Sequence, residues 1–156
     1  MAVAFDEPAP PASPQAIEQV ERSLDIVLPE DYRRFLRQQN GGYLEPNAHE
    51  QGRGVRVRYL YSADPTGDEH LDDLESVAWL YSPEGEADDE LDPGFLPIGE
   101  DDGGNLICLK VSGDDYGAVY FWEHEVLPES DAYTRIADSF EAFFAGLRPA
   151  GEPGAG

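Results

Sequence analysis

The segment LICLKV, residues 106–111, is apolar at nearly every position. A strand with one wet face alternates polar and apolar residues, so a run that does not alternate predicts a central strand covered on both faces. It is followed by SGDDYG, residues 112–117, and then by AVYFWE, residues 118–123. Glycines and aspartates between two apolar runs are turn chemistry, and the three pieces together predict an antiparallel hairpin.

The rest of the chain supplies helices to cover it. Ser13-Pro14 places a cap and then a proline at a first helical turn, and Ile17, Val20 and Leu24 follow at helical spacing. In PEDYRRFLRQQNGG, Pro29, Glu30 and Asp31 suit a helix N-terminus by geometry and dipole. Tyr32, Phe35, Leu36 and Gln39 share one face, and Asn40-Gly41-Gly42 ends the helix. VRVRYLY, 55–61, alternates as a strand does. HLDDLESVAWLY, 70–81, predicts a short acidic helix with Leu71, Leu74, Ala78 and Tyr81 inward. FLPI, 95–98, predicts a short strand, and Pro97, which cannot donate a ladder bond, predicts that it lies at a sheet edge. DSFEAFFAGL, 138–147, predicts an amphipathic helix capped by Asp138 or Ser139, with Phe140, Phe143, Phe144 and Leu147 buried. This order predicts an α+β fold: a largely antiparallel central sheet with an N-terminal helix pair and a C-terminal helix packed on it. The Pro- and Ala-rich residues 1–12 and the segment RPAGEPGAG, 148–156, predict disordered tails around one domain at 13–147.

Ahead of the central strand stands GEDDGGNL, residues 99–106. Glu100, Asp101 and Asp102 are oxygen ligands of the kind calcium takes, but a calcium loop needs alternating ligands and a distal Glu, which this segment lacks. A phosphate cradle needs backbone amides at a helix start, and here a strand follows. The segment therefore predicts a turn, with Gly103 and Gly104 free to take positive φ and Asn105 bonding backbone.

Composition limits the function classes. The 156 residues carry 33 acids against 10 bases, a formal net charge of −23. Such a chain repels phosphate backbones and anionic lipid, so neither nucleic acid nor membrane is an expected partner, whereas a basic protein surface is attracted. The same charge opposes self-association and predicts a monomer. One cysteine, Cys108, excludes an intrachain disulfide, and with neither a signal-peptide pattern nor a long apolar run the chain reads as soluble and cytoplasmic. His49, His70 and His124 are scattered without metal spacing, Cys108 sits mid-strand as a small hydrophobe, and no nucleophile elbow, phosphate loop or zinc motif occurs. No cofactor, no metal and no catalytic residue is expected. A carboxylate hydrolase stays open only because acids are abundant.

The order of segments resembles one family. A helix around 14–24, LPEDYRRFLRQQNGG at 28–42, a variable acidic middle, FLPIGEDDGGNLICL at 95–109, VYFWEHE at 119–125 and SFEAFFAGL at 139–147 together resemble the SUKH superfamily, the SMI/KNR-like proteins. The resemblance implies that Leu28, Pro29, Tyr32, Phe35, Leu36, Asn40 and Gly41 hold the second helix and its exit. It implies that Gly99, Gly104 and Asn105 shape the turn before the central strand. It implies a protein that is not an enzyme: bacterial members resemble immunity proteins that neutralise a toxin, often a nuclease, and others resemble regulatory modules that work through an endogenous protein partner. A nuclease presents a basic cleft to phosphates, so a chain this acidic can occupy or shadow it. On that reading the partner-binding candidates are Glu84, Glu86, Asp88, Asp89, Glu90 and Asp92 in the loop SPEGEADDELDPG, then Glu100, Asp101 and Asp102, with Tyr43 and Trp122 as aromatic anchors.

Overall fold

The computed structural model describes residues 4–8, 12–39, 42–45, 49–51, 55–63, 74–82, 85, 91, 94–101, 105–123 and 133–149. In chain order these form β1 (Ala4–Pro8), α1 (Pro14–Leu24), α2 (Glu30–Gln38), β2 (Gly42–Glu45), β3 (His49–Gln51), β4 (Val55–Leu60) and α3 (Leu74–Leu80). The second half continues with β5 (Phe95–Asp101), β6 (Leu106–Lys110), β7 (Val119–Trp122), β8 (Tyr133–Ala137), α4 (Phe140–Ala145) and β9 (Arg148–Pro149). The strands form one antiparallel sheet in the order β1-β2-β4-β5-β6-β7-β8, with β3 paired to β4 and β9 to β3. The architecture is the α+β one that the element order predicts.

Strand β6 lies inside the sheet, paired with β5 on one side and β7 on the other, and Leu106, Ile107, Cys108 and Leu109 are each at most 2% exposed. Side chains alternate across a strand, so Ile107 and Leu109 join the main core while Leu106 and Cys108 join a second cluster on the other face. The main core is filled from the helices: Ile17 and Val20 of α1, Tyr32, Phe35 and Leu36 of α2, Leu74 and Val77 of α3, Phe140 and Phe143 of α4.

Local chemistry explains the helix positions. Ser13 Oγ accepts from Ala16 N at 3.1 Å, and Ser139, rather than Asp138, caps α4 by accepting from Ala142 N at 3.1 Å. Asp31 joins α2 to α4: its Oδ2 accepts from Glu141 N at 3.0 Å, capping the start of one helix from the first turn of another. Behind that link, Phe140 packs against Tyr32 at 4.9 Å and Phe35 at 4.8 Å between ring centroids, and Phe144 meets Phe35 at 5.0 Å. Helix α1 ends at Asp25, held at φ 54°, with its N–H bonded to Arg22 O and the N–H of Ile26 to Glu21 O.

Three expectations change. Strand β5 is not an edge strand; it runs between β4 and β6. Pro97 is tolerated because neither neighbour needs its missing N–H. Val111 N donates to Gly94 O at 2.8 Å, so by the alternation of an antiparallel ladder Pro97 and Cys108 are a non-hydrogen-bonded pair. On the other side the ladder with β4 runs from Asp101 to Gly99, and the bond from Tyr61 N to Ile98 O at 2.9 Å extends it to the residue after Pro97. Second, Ala4–Pro8, expected in a disordered tail, pair with β2, and Arg148–Pro149 pair with β3. Third, β2, β3 and β8 have no expected counterpart. Of the predicted acidic helix, 70–73 lie outside the described residues, as do Asn40, Gly41 and Gly104. Within α3, Val77 is buried alongside Leu74.

Two substitutions test this reading of the core and caps. An Asp in the left-handed region at a helix C-terminus is strained and puts a negative charge at the negative end of the dipole. Asp25→Gly is expected to stabilise by about 1 kcal/mol, raising Tm by about 2–4 °C. Tyr32 is 1% exposed, burial pushes its hydroxyl pKa up, and no hydrogen-bond partner for that oxygen lies among the described residues. Tyr32→Phe keeps the ring packing and removes the buried hydroxyl, so a urea melt should show equal or higher stability, by up to about 1 kcal/mol.

Candidate protein interface

The second face of the sheet carries an aromatic layer. Phe95 stands opposite Lys110, and Cys108 opposite Tyr120, so β5, β6 and β7 present these side chains on one face together with Leu106 and Trp122. Cys108 is small and lies at the centre of this layer; Phe95 and Tyr133 stack at 4.1 Å between ring centroids, and Tyr120 meets Phe95 edge-on at 5.2 Å. Burial pushes the Cys108 thiol pKa well above its ordinary value, so the group is an uncharged filler and not a nucleophile. Phe95, Tyr120 and Tyr133 remain half-buried.

Trp122 sits within this layer at 5% exposure and packs edge-on against Tyr81, 5.8 Å between ring centroids. It is a packing residue of the second cluster in the free chain. Tyr81 follows α3, and its carbonyl accepts from Leu91 N at 3.0 Å. Leu91 is buried against Leu106, Cys108 and Trp122. The acidic segment thus leaves and returns at one place, with both ends fixed to the aromatic face beside Trp122. Its acids, Glu84, Glu86, Asp88, Asp89, Glu90 and Asp92, lie outside the described residues. Between Ser82 and Leu91 only Gly85 is described. Gly85 N donates to Ser82 O at 2.9 Å, and a Cβ there would fall 2.1 Å from Leu80 O and 2.2 Å from Trp79 O. Only glycine lets the segment press this closely onto the end of α3.

The acids ahead of β6 divide in role. Asp101 closes the hairpin: its Oδ1 accepts from Asn105 N at 2.8 Å, its Oδ2 from Asn105 Nδ2 at 3.0 Å, and its own N–H donates to Asn105 O at 3.0 Å. Glu100 pairs across to Leu106, placing it on the aromatic face, and Tyr61 Oη donates to Glu100 Oε1 at 3.2 Å. Asp102 lies outside the described residues. Tyr43 is on β2, backbone-paired with Glu7 and Tyr59, and three strands separate it from Trp122. The two aromatic candidates therefore do not meet.

At the other end of the β6–β7 hairpin, Lys110 Nζ bonds Asp115 Oδ1 at 3.1 Å and lies 5.2 Å from the centre of the Phe95 ring. Tyr120 Oη donates to Asp115 Oδ2 at 2.6 Å. The hydrogen bond from Tyr120, and then that from Lys110, hold the Asp115 carboxyl below its ordinary pKa. Two of the three bases of α2 are likewise engaged: Arg33 bonds Glu21 at 3.0 Å, and Arg37 bonds Glu30 at 2.9 Å. Among the described residues no group of three or more His, Cys, Asp and Glu could hold a metal ion. No described helix is long and apolar enough to cross a membrane.

The residues that sequence reasoning missed are Phe95, Tyr120 and Tyr133 on this face, and Trp79 on α3. Trp79 is 50% exposed, the reverse of Trp122. Its signal was present in the helical spacing, which leaves position 79 off the inward set of Leu74, Ala78 and Tyr81. The division of acids also makes a prediction. Asp101→Ala leaves Asn105 N without its acceptor and is expected to cost about 1–2 kcal/mol in a urea melt, whereas Glu123→Gln, at an exposed position, should leave the midpoint unchanged.

Comparison with known proteins agrees with this architecture. The SPbeta prophage-derived uncharacterized protein YokK of Bacillus subtilis (strain 168) is 26% identical over 150 residues, covering 85% of this chain and 73% of that protein. The pattern of the SMI1 / KNR4 family (SUKH-1) matches residues 11–146, from just before the cap of α1 to the end of α4. The chain belongs to the SMI1 / KNR4 family (SUKH-1).

Proposed function

We propose that this chain is an immunity-type binding protein that neutralises a bacterial toxin with a basic surface, such as a nuclease, by stoichiometric occlusion. It acts by contact alone, without a cofactor and without chemistry of its own, in the compartment where the toxin would otherwise act. Family membership supports a role in protein–protein contact. The observation that carries the toxin reading is the placement of charge. From Tyr59 through Leu109 the chain contains no Lys or Arg, and this stretch includes Glu84, Glu86, Asp88, Asp89, Glu90 and Asp92. The ends of that acidic segment are fixed to the aromatic face through Tyr81 and Leu91. A stretch of sequence rich in carboxylates and without Lys or Arg, rooted beside half-buried rings, suits a cleft that evolved to hold phosphates.

The test is to purify the chain with the product of the gene immediately upstream and follow association by stopped flow. A one-to-one complex that abolishes toxicity is the expected result. Between about 50 mM and about 500 mM salt the association rate should fall steeply, since exposed charges are screened over that range. Replacing the six acids at 84–92 with Gln and Asn should lower the association rate about tenfold with a smaller change in dissociation. A harmless upstream product that forms no complex contradicts the toxin reading and turns the search to an endogenous partner. A complex whose association ignores both salt and the substitutions contradicts the electrostatic account.

A further inference from the structure

Helices α2 and α4 leave an open cavity of about 280 Å³ between them. Its floor is aromatic: Phe35, Phe140 and Phe144, with ring centroids 4.8 to 5.8 Å apart. Its rim is polar and divided by charge. Asp31 and Glu141 stand together, and Asp31 is fixed there by accepting from Tyr32 N at 2.8 Å and from Glu141 N at 3.0 Å. Arg34 and Gln38 follow Asp31 along the same stripe of α2, so the donors continue the rim away from the acids. Their neighbours Arg33 and Arg37 are in ion pairs with Glu21 and Glu30. Among the described residues, by contrast, the side chains of Arg34, Gln38 and Glu141 make no hydrogen bond or ion pair. Arg34 and Glu141 thus border one cavity, with opposite charges, and do not pair with each other.

The complement of such a cavity is a carboxylate and an ammonium held close together on a stem that also carries an apolar group. A guanidinium takes a carboxylate in a two-pronged bond, the Gln38 amide adds a donor, the two acids take the ammonium, and the apolar group covers the rings. Net charge points the same way. A chain at −23 repels a free anion and draws cations to every acidic surface alike. A zwitterion has no net charge and is held only where both signs are placed for it. The volume lies just below the range of drug-sized pockets, which suits a single amino acid. We infer that the α2–α4 cavity binds a free α-amino acid with an apolar side chain, its carboxylate on Arg34 and its ammonium between Asp31 and Glu141. The helices lie on the main-core side of the sheet, opposite the aromatic face, so the inference stands independently of the proposed function.

The test is an NMR titration of the full chain, read from its backbone amides, with L-phenylalanine and L-leucine as probes. Saturable shifts confined to α2 and α4 are expected, with a Kd on the order of 1 mM. N-acetyl-L-phenylalanine lacks the ammonium, L-phenylalaninamide lacks the carboxylate and glycine lacks the side chain, so each should bind about tenfold more weakly than L-phenylalanine. Arg34→Gln and Glu141→Gln change exposed side chains, so their thermal melts should match that of the wild type. Affinity for L-phenylalanine should fall about tenfold in Arg34→Gln and about threefold in Glu141→Gln, where Asp31 remains. Arg34→Gln should also bind L-phenylalanine and its amide alike, because the carboxylate has lost its partner. Equal affinity of the wild type and Arg34→Gln overturns the inference, as do shifts centred away from both helices. No saturable shift by about 50 mM of either probe overturns it as well.

Discussion

Strand β6 has no solvent face. Its four apolar residues from Leu106 to Leu109 are at most 2% exposed, and their side chains point alternately to opposite sides of the sheet. Burying one Leu or Ile side chain is worth roughly 1.5–3 kcal/mol, so neither side can be left open without a large loss. One side is closed by helices. The other is closed by ring stacking among Phe95, Tyr120 and Tyr133, by Trp122, and by Leu91 brought in from the acidic segment. The second cover is thinner than the first and is partly exposed at its rings. The same requirement that buries β6 therefore leaves a half-wet aromatic face and fixes the root of an acidic loop beside it.

The acidity is compatible with this core because the charges stay outside it. Among the described residues no charged side chain is buried, and Ser62 is the single buried one outside the hydrophobic and aromatic types. Several described bases are already in ion pairs with nearby carboxylates, as Arg33 is with Glu21 and Lys110 with Asp115. Such exposed or half-exposed pairs add little stability, but they position α1 against α2 and brace the turn after β6. Tyr116 adds a link between those two regions, with its hydroxyl donating to Val27 O at 2.6 Å.

Elements with local signals were legible. Ser13-Pro14, Pro29-Glu30-Asp31 and Ser139 mark the starts of α1, α2 and α4, because caps and dipoles act within one turn. The turn before β6 was legible as a reversal from its glycines and Asn105, but the carboxylate that closes it, Asp101 bonded to Asn105 N and Nδ2, was not. Strands β1, β2, β3, β8 and β9 were not. Each is short, and Tyr133–Ala137 buries only Ile136, so no alternation marks it. Their partners lie elsewhere in the chain. Pro97 misled for a related reason: the rule that proline sits at edges assumes a ladder bond to its N–H, and toward β6 the Pro97–Cys108 pair is a non-hydrogen-bonded one. Of the candidate site, the acids were legible from composition. Which tryptophan is available was not, because Trp122 is covered by Leu91 and Tyr81, and only the fold brings those residues to it.

The proposed contact surface is the aromatic face and the acidic segment rooted beside it at Tyr81 and Leu91, while the α2–α4 side serves the core. Hydrogen–deuterium exchange of the chain alone and in its complex with the upstream gene product tests this directly. The account predicts slowed exchange in amides of residues 76–91 and 119–122 on complex formation, with α2 and α4 unchanged. Protection centred instead on Glu30–Gln38 and Phe140–Ala145, with residues 76–91 exchanging as in the free chain, would contradict it.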